Sequence, residues 1–366
     1  MFELKYKQFE FKWLRVNLYN KFCVGIFTLG SILIADSFTL NWWNLFVFNV
    51  NVSSIELAYN QVNDFNTVEL VFGLTFIVLS IVFFLLKKKY ESWYNAKYPR
   101  NLIAIKQQGL QATSFPDFNK KTAGKDFRGF CIHPILVDEI DFDKNKKYKE
   151  ALDNQDRIIT DVTNLKNSHI NNELAYWGIT RIPLAFSLGV KLSDTQSINV
   201  FDYNRNKQVW NQLSYSWLRN KIIRSKKFTV KKSNIYRCSS PDLIISISTT
   251  FNVSKSECLK IVPDYYKFYD LSLSNIGNGK RDRFKTISEI NILTEQFRQL
   301  MDEVATDPRI KTVHLFYAGP NSLSFKFGTV YSESIHRNVI VYNYNTNDTP
   351  CFSWAYDVAK DDILSL

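Results

Sequence analysis

Two apolar runs interrupt an otherwise mixed chain: Phe22–Leu40 (FCVGIFTLGSILIADSFTL) and Leu70–Leu86 (LVFGLTFIVLSIVFFLL). Each has the roughly 17–20 residues that carry an α-helix across ~30 Å of hydrocarbon. They predict two membrane-spanning helices. The stretch between them, Asn41–Glu69, holds Glu56, Asp64 and Glu69 but neither Lys nor Arg. Lys5, Lys7, Lys12, Arg15 and Lys21 precede the first run, and Lys87, Lys88, Lys89, Lys97 and Arg100 follow the second. The positive-inside bias then places both termini in the cytoplasm and the short loop outside.

Ahead of the first run, Phe2, Tyr6, Phe9, Trp13 and Val16 recur at three- and four-residue intervals among the basic residues. That spacing lines one helical stripe, which fits a helix lying on the inner leaflet or one packed on a protein surface. Trp42 and Trp43 sit where aromatic rings favour the headgroup layer. Asp36 breaks the first run, and an isolated carboxylate costs about 2.5–3.5 kcal/mol at a bilayer centre. Two readings of Asp36 stand: it reaches water at the outer boundary, or it is a polar pore candidate lining an aqueous path between assembled subunits. Two spans per chain cannot enclose a channel, so conduction or bilayer damage requires multimers.

Beyond the second run, Lys87–Tyr98 continues the helical pattern until Pro99 ends it. Asn101–Asp126 lacks periodicity and reads as a connector. From Phe127 onward, short apolar runs alternate with polar helical stretches, the pattern of an α/β domain. Strands are expected at Phe130–Val137, Leu174–Ile179, Leu243–Ser248 and Thr312–Tyr317, with helices at Asn145–Ser168 and Glu289–Ala305. The domain plan is a basic segment 1–21, a two-helix membrane module 22–86, a helix extension and linker 87–123, and a final domain 124–366.

That final domain repeats itself. Ile182-Pro-Leu-Ala-Phe-Ser-Leu-Gly189, Val200-Phe-Asp-Tyr-Asn-Arg-Asn206 and Trp210 recur as Gly319-Pro-Asn-Ser-Leu-Ser-Phe-Lys-Phe-Gly328, Val341-Tyr-Asn-Tyr-Asn-Thr-Asn347 and Trp354. The surrounding elements follow in the same order, with Phe130–Val137 paired to Leu243–Ser248. A repeated strand–helix–strand–helix–strand unit implies two Rossmann-like halves, about 124–235 and 236–366, around a pseudo-two-fold axis. Ligands of open α/β sheets sit beyond the carboxyl ends of the strands, where helix N-termini offer unpaired N–H groups. Here those ends are Gly178–Pro183 and Tyr317–Ser322, with proline near the first turn of each following helix. Two such ends facing each other would suit a ligand built of repeated units.

The net charge of +11 is partly juxtamembrane, and no concentrated cationic helix face points to long DNA or RNA. Five scattered cysteines and four scattered histidines give no metal-ligand spacing and no disulfide framework. No HExxH, GxSxG, Walker A or GxGxxG pattern occurs, so an enzyme is not expected. Ile276-Gly-Asn-Gly-Lys-Arg281 lacks the Gly-Lys-(Ser/Thr) ending and reads as a loop, with Lys280 or Arg281 as secondary phosphate contacts. The acidic residues Asp138, Glu139, Asp141 and Asp143 read as a solvated patch.

The two motif sets, Gly178–Gly189 with Val200–Tyr203 and His314–Gly328 with Val339–Tyr342, resemble the SAVED domain of bacterial cyclic-oligonucleotide antiphage systems (CBASS), a fusion of two CARF-like units. With two N-terminal spans, the chain is similar to the transmembrane-SAVED effectors of that family. The resemblance implies an α/β sensor that binds a cyclic di- or trinucleotide, without a further cofactor. It also implies a ligand-induced homo-oligomer that disrupts the lipid bilayer of the bacterial inner membrane during antiviral defence. Alternatives are a membrane-tethered receptor that signals through a partner, or a membrane-bound cyclic-oligonucleotide hydrolase. Carried over by position, the ligand-contact candidates are Thr180, Arg181 and Pro183 in the first half. The second half supplies Ser248, Thr249, Thr250, Tyr317, Gly319, Pro320, Asn321 and Ser322. Arg181 is the preferred phosphate partner because its guanidinium pairs with two oxygens. The prolines equally start helices, and the Ser/Thr hydroxyls equally cap them. Gly189 and Gly328 read as helix-packing positions, and Tyr203, Tyr342 and Tyr344 as sheet residues.

Overall fold

The computed structural model describes residues 19–38, 67–97, 100–110, 127, 130–168, 172–193, 198–204, 209–212, 227–234, 240–273, 284, 286–345, 348 and 351–366. The N-terminal stripe, Trp42, Trp43, Lys280 and Arg281 lie outside them, as does the Asp36 side chain, whose backbone falls within a helix. The chain divides into two compact units, Met1–Tyr98 and Pro99–Leu366.

The first unit holds α1 (Tyr19–Phe38) and α2 (Thr67–Lys97), which fall on the two apolar runs. Small residues let their backbones meet: a Cβ on Gly30 would lie 2.8 Å from the Gly73 carbonyl oxygen, and Ser80 Oγ donates to the Cys23 carbonyl at 2.9 Å. The outer faces stay apolar, with Val24, Ile32, Val71, Val78, Phe84 and Leu85 exposed. Thr28, Ser31 and Thr75 each return their hydroxyl to a carbonyl four residues back. Among the described residues no helix is long and apolar enough to cross a membrane; side chains are described over 23–34 of α1 and over 70–86 and 89 of α2.

The second unit is a duplicated α/β fold. Its first sheet has the order β2-β1-β3-β4-β5, from β1 (Arg100–Gln108), β2 (Phe130–Asp138), β3 (Asn172–Ile179), β4 (Ile198–Asn204) and β5 (Val209–Gln212). Between β2 and β3 run α3 (Ile140–Asn145) and α4 (Tyr148–Ser168), and α5 (Ile182–Lys191) joins β3 to β4. The second sheet comprises β6 (Thr229–Asn234), β7 (Asp242–Ser248), β8 (Lys267–Ser272), β9 (Thr312–Ala318), β10 (Asn338–Tyr344), β11 (Phe352–Asp357) and β12 (Asp362–Ser365), in the order β12-β11-β10-β9-β7-β8-β6. Its helices are α6 (Lys255–Ile261), α7 (Ile287–Thr306) and α8 (Asn321–Val330). Within it, β8-β7-β9-β10-β11 repeats β2-β1-β3-β4-β5, parallel throughout except for the last pair in each.

This topology corrects three expectations. Residues 100–108, read as connector, form the second strand of the first sheet, with Leu102–Ile105 fully buried. A strand covered on both faces shows no alternation, and its four apolar residues are too few to distinguish from a loop by period. The counterpart of Leu243–Ser248 is therefore β1, and Phe130–Val137 corresponds instead to β8. Finally, β6 pairs antiparallel with β8, so the second half begins before residue 236.

The halves join through α5 and α8, which pack backbone to backbone. A Cβ on Gly189 would overlap the Phe325 carbonyl oxygen, and one on Gly328 would overlap that of Phe186. This reciprocity is the signature of the pseudo-two-fold axis, and both glycines serve packing as expected. Leu184, Phe186, Leu188, Leu323, Phe325 and Phe327 are all buried around the crossing, within one apolar cluster drawn from both halves. Each such side chain contributes roughly 1.5–3 kcal/mol.

Candidate functional site

The carboxyl ends of β3 and β9 deliver the N-termini of α5 and α8 to one another. Asn321 Nδ2 donates to the Thr180 carbonyl at 2.7 Å, Ser322 Oγ to Asp202 Oδ1 at 3.1 Å, and Ser324 Oγ to the Ile182 carbonyl at 3.0 Å. Across the same junction the Tyr176 ring stacks on Phe325, centroids 3.8 Å apart and 6° from parallel. Neither helix carries a side-chain cap or an acidic residue in its first turn; the N-cap positions are Arg181 and Pro320. First-turn N–H groups of this kind favour an anion.

The structure brings the sequence-derived candidates to this junction but gives them unequal roles. Thr180, Pro183, Ser248, Thr249, Tyr317 and Ser322 are buried, while Arg181, Thr250, Gly319, Pro320 and Asn321 keep part of their surface open. Ser248 Oγ accepts from the Val253 N–H at 2.9 Å, Thr249 Oγ1 donates to the Ala318 carbonyl at 3.1 Å, and Tyr317 OH donates to the Pro320 carbonyl at 3.0 Å. These residues shape the corner after β7 and β9. The N–H groups of Thr249, Thr250 and Phe251 converge on the Ala318 carbonyl, wrapping that turn around the end of β9. Phe251, beside Thr250, is 40% exposed.

Arg181 is not free. Its Nε and Nη2 donate to Asp143 Oδ1 and Oδ2 at 2.6 and 2.9 Å. The acidic patch is accordingly not solvated throughout: Asp143 is spent on this pair, and Glu139 is fully buried. Glu139 Oε2 accepts from the Thr180 hydroxyl. Its Oε1 accepts from Gln155 Nε2 at 2.7 Å and Gln107 Nε2 at 2.9 Å. Both amides also reach the Leu184 carbonyl in the first turns of α5, and Tyr176 OH donates to Gln107 Oε1 at 2.8 Å. Burial pushes the Glu139 carboxyl up to about 7, against the pull of the Thr180, Gln155 and Gln107 hydrogen bonds.

No motif marks Glu139, Gln107 and Gln155 in the sequence. The one available signal is Gln155 itself, a polar residue on the stripe of Ala151, Leu152 and Val162 that α4 buries. Among the described residues no group of three or more His, Cys, Asp or Glu is placed to hold a metal ion. A cavity of about 750 Å³ opens at the opposite ends of α5 and α8, lined among others by Asp156, Lys191, Glu333 and Asp361. Its lysine is already held there, by Asp156 at 2.6 Å and Asp361 at 3.4 Å.

Solved structures to which the chain is similar include the Acinetobacter baumannii Cap4 SAVED/CARF-domain containing receptor with the cyclic trinucleotide 3'3'3'-cAAA: 12% identity, 85% of this chain and 62% of that one, TM-score 0.47. The same receptor with 2'3'3'-cAAA aligns at 12% identity over 79% of this chain and 59% of that one, TM-score 0.46. The Moraxella osloensis Cap4 SAVED/CARF-domain containing receptor aligns at 14% identity, over 81% and 62%, TM-score 0.43. This chain thus spans about three fifths of the length of those proteins. No curated protein matches it in sequence. Residues 157–358, more than half of the chain, match the SMODS-associated and fused to various effectors sensor domain, and the chain belongs to this SAVED family.

Proposed function

We propose that the chain is a membrane-anchored sensor that binds a cyclic di- or trinucleotide where α5 and α8 meet. Binding drives homo-oligomerisation and disruption of the bacterial inner membrane, as an effector of antiphage defence. The observation that carries the ligand reading is the pairing of two uncapped helix N-termini, one from each half, across Asn321 and Thr180. A ligand with repeated phosphates meets one helix N-terminus from each half there, with Pro183 leaving α5 one N–H donor short of α8. The family's designation as a sensor domain fused to effectors supports the same reading.

The effector in this scheme is the first unit. Its two helices show apolar side chains to the outside and return their hydroxyls to their own carbonyls, which is how Ser and Thr are tolerated in lipid. The basic residues flanking both apolar runs support a topology with both termini on the cytoplasmic side. The chain works by binding rather than by turnover, so the ligand must bind the assembled state more tightly than the idle one.

Proteoliposomes loaded with a self-quenched dye test this. Leakage that begins only when a cyclic nucleotide is added supports the proposal. Leakage without ligand at the same protein density contradicts gating. Ligand-driven assembly with intact liposomes favours a tethered receptor that signals through a partner, and consumption of the nucleotide on chromatography favours a hydrolase.

A further inference from the structure

Arg181 carries the charge best suited to a ligand phosphate, and its fork is already engaged within the chain. The Asp143 carboxylate meets its fork with two oxygens, at 2.6 and 2.9 Å. A phosphate presents oxygens to a guanidinium in the same side-on fashion. Asp143 therefore occupies the place that an arriving phosphate would take.

That carboxylate stands on a short helix, of which the neighbouring Phe142 packs partly buried against the core. Asp143 belongs to α3, a six-residue helix with no buried side chain that ends on Lys146 in the left-handed conformation, φ 56°. The pair is also reachable, with the Arg181 side chain 23% exposed and that of Asp143 15%. Asp348, between β10 and β11 in the second half, adds to the field at Arg181, so this guanidinium faces groups from both halves. Glu139, at the N-terminus of α3, is tied separately to Thr180, so the α3 corner stays attached at one end when Asp143 lets go.

We propose that Asp143 is the resident anion of the ligand site: it holds Arg181 in the unliganded chain, yields it to a phosphate of the bound cyclic nucleotide, and so sets the ligand concentration at which the sensor responds. This rests on the ligand reading given above and adds the residue that tunes its threshold.

The test is calorimetric titration of the full-length chain in detergent micelles, at fixed salt, with a panel of cyclic di- and tri-adenylates and guanylates that includes 3'3'3'-cAAA. Asp143→Asn should bind a panel member about tenfold more tightly than the wild type, since the competing anion is gone. Arg181→Ala should bind about tenfold more weakly, and the double variant no more tightly than Arg181→Ala, because the two residues act as a unit. A readout that leaves Asp143 in place is the Nε–H resonance of Arg181 in arginine-labelled protein, assigned by its loss in Arg181→Lys; it should shift on ligand addition. If the wild type binds a panel member while Asp143→Asn gains nothing or the Arg181 resonance stays put, the resident-anion role is wrong and the ligand reading survives. If neither wild type nor Asp143→Asn binds any member, the ligand reading itself fails.

Discussion

Replacing Glu139 by glutamine should flatten one part of the protein's pH profile. Burial raises the Glu139 carboxyl from 4.5 to about 7 in the folded chain. The folded state therefore keeps this proton up to about pH 7, whereas the unfolded chain releases it near pH 4.5. Between those values the folded state binds more protons, so this group's contribution to stability falls as pH rises. The difference corresponds to roughly 3 kcal/mol, fully felt above pH 7 and absent below pH 4.5. Glutamine keeps the size and the polar contacts with Thr180 and the two amides but cannot ionise. Glu139→Gln should come close to the wild type near pH 5 and exceed it near pH 8, by about 6–12 °C at the ~2–4 °C per kcal/mol usual for a domain of this size. Thermal melts of the full-length chain in micelles between pH 5 and 8.5 read this directly. Taking the difference between variant and wild type cancels the slopes of the other carboxylates. Parallel profiles, or a variant less stable at pH 8, would refute the claim that an ionisable group is held in this network against its desolvation.

Three further outcomes follow from the packing. Gly189→Ala or Gly328→Ala should destabilise the second unit by about 3 kcal/mol or more, because each new methyl group meets carbonyl backbone rather than a side-chain end; denaturant melts by circular dichroism check it, and a loss under 1 kcal/mol would mean the helices are farther apart. Phe325→Ala removes the partner of Tyr176 across the junction and should cost about 3–5 kcal/mol; Phe325→Leu should recover at least half of this in the same melts. Asn321→Ala should leave the melting temperature within a few degrees yet weaken nucleotide binding several-fold, since its amide joins the halves at the partly open edge; calorimetry separates the two effects.

Much of this fold is legible in the residues themselves, and the exceptions have physical causes. The strands at Leu174–Ile179, Leu243–Ser248 and Thr312–Tyr317 are apolar runs bounded by polar residues, and the helix at Glu289–Ala305 is amphipathic and opens on a capping box at Thr286 and Glu289. The repeat found its helices because Gly189 and Gly328 must both be small for the backbones to touch. By contrast, β1 hides as a connector because a buried parallel strand lacks alternation, and once it is missed the first strand of each half is mispaired. The candidate site shows the same division. Loop positions at the ends of β3 and β9 follow from topology, whereas the Glu139 network depends on residues drawn from β1, α4 and the β2–α3 corner, which spacing along the chain does not connect. The attraction of Arg181 as a phosphate partner is visible in the sequence; that Asp143 already holds it is a fact of three dimensions.

The central claim is that the two halves form one ligand site rather than two. Calorimetry of the full-length chain against the cyclic nucleotide panel measures it most directly. A single ligand per chain, weakened by Arg181→Ala in the first half and by Asn321→Ala in the second, is the predicted result. Two ligands per chain, or binding indifferent to both substitutions, would contradict it.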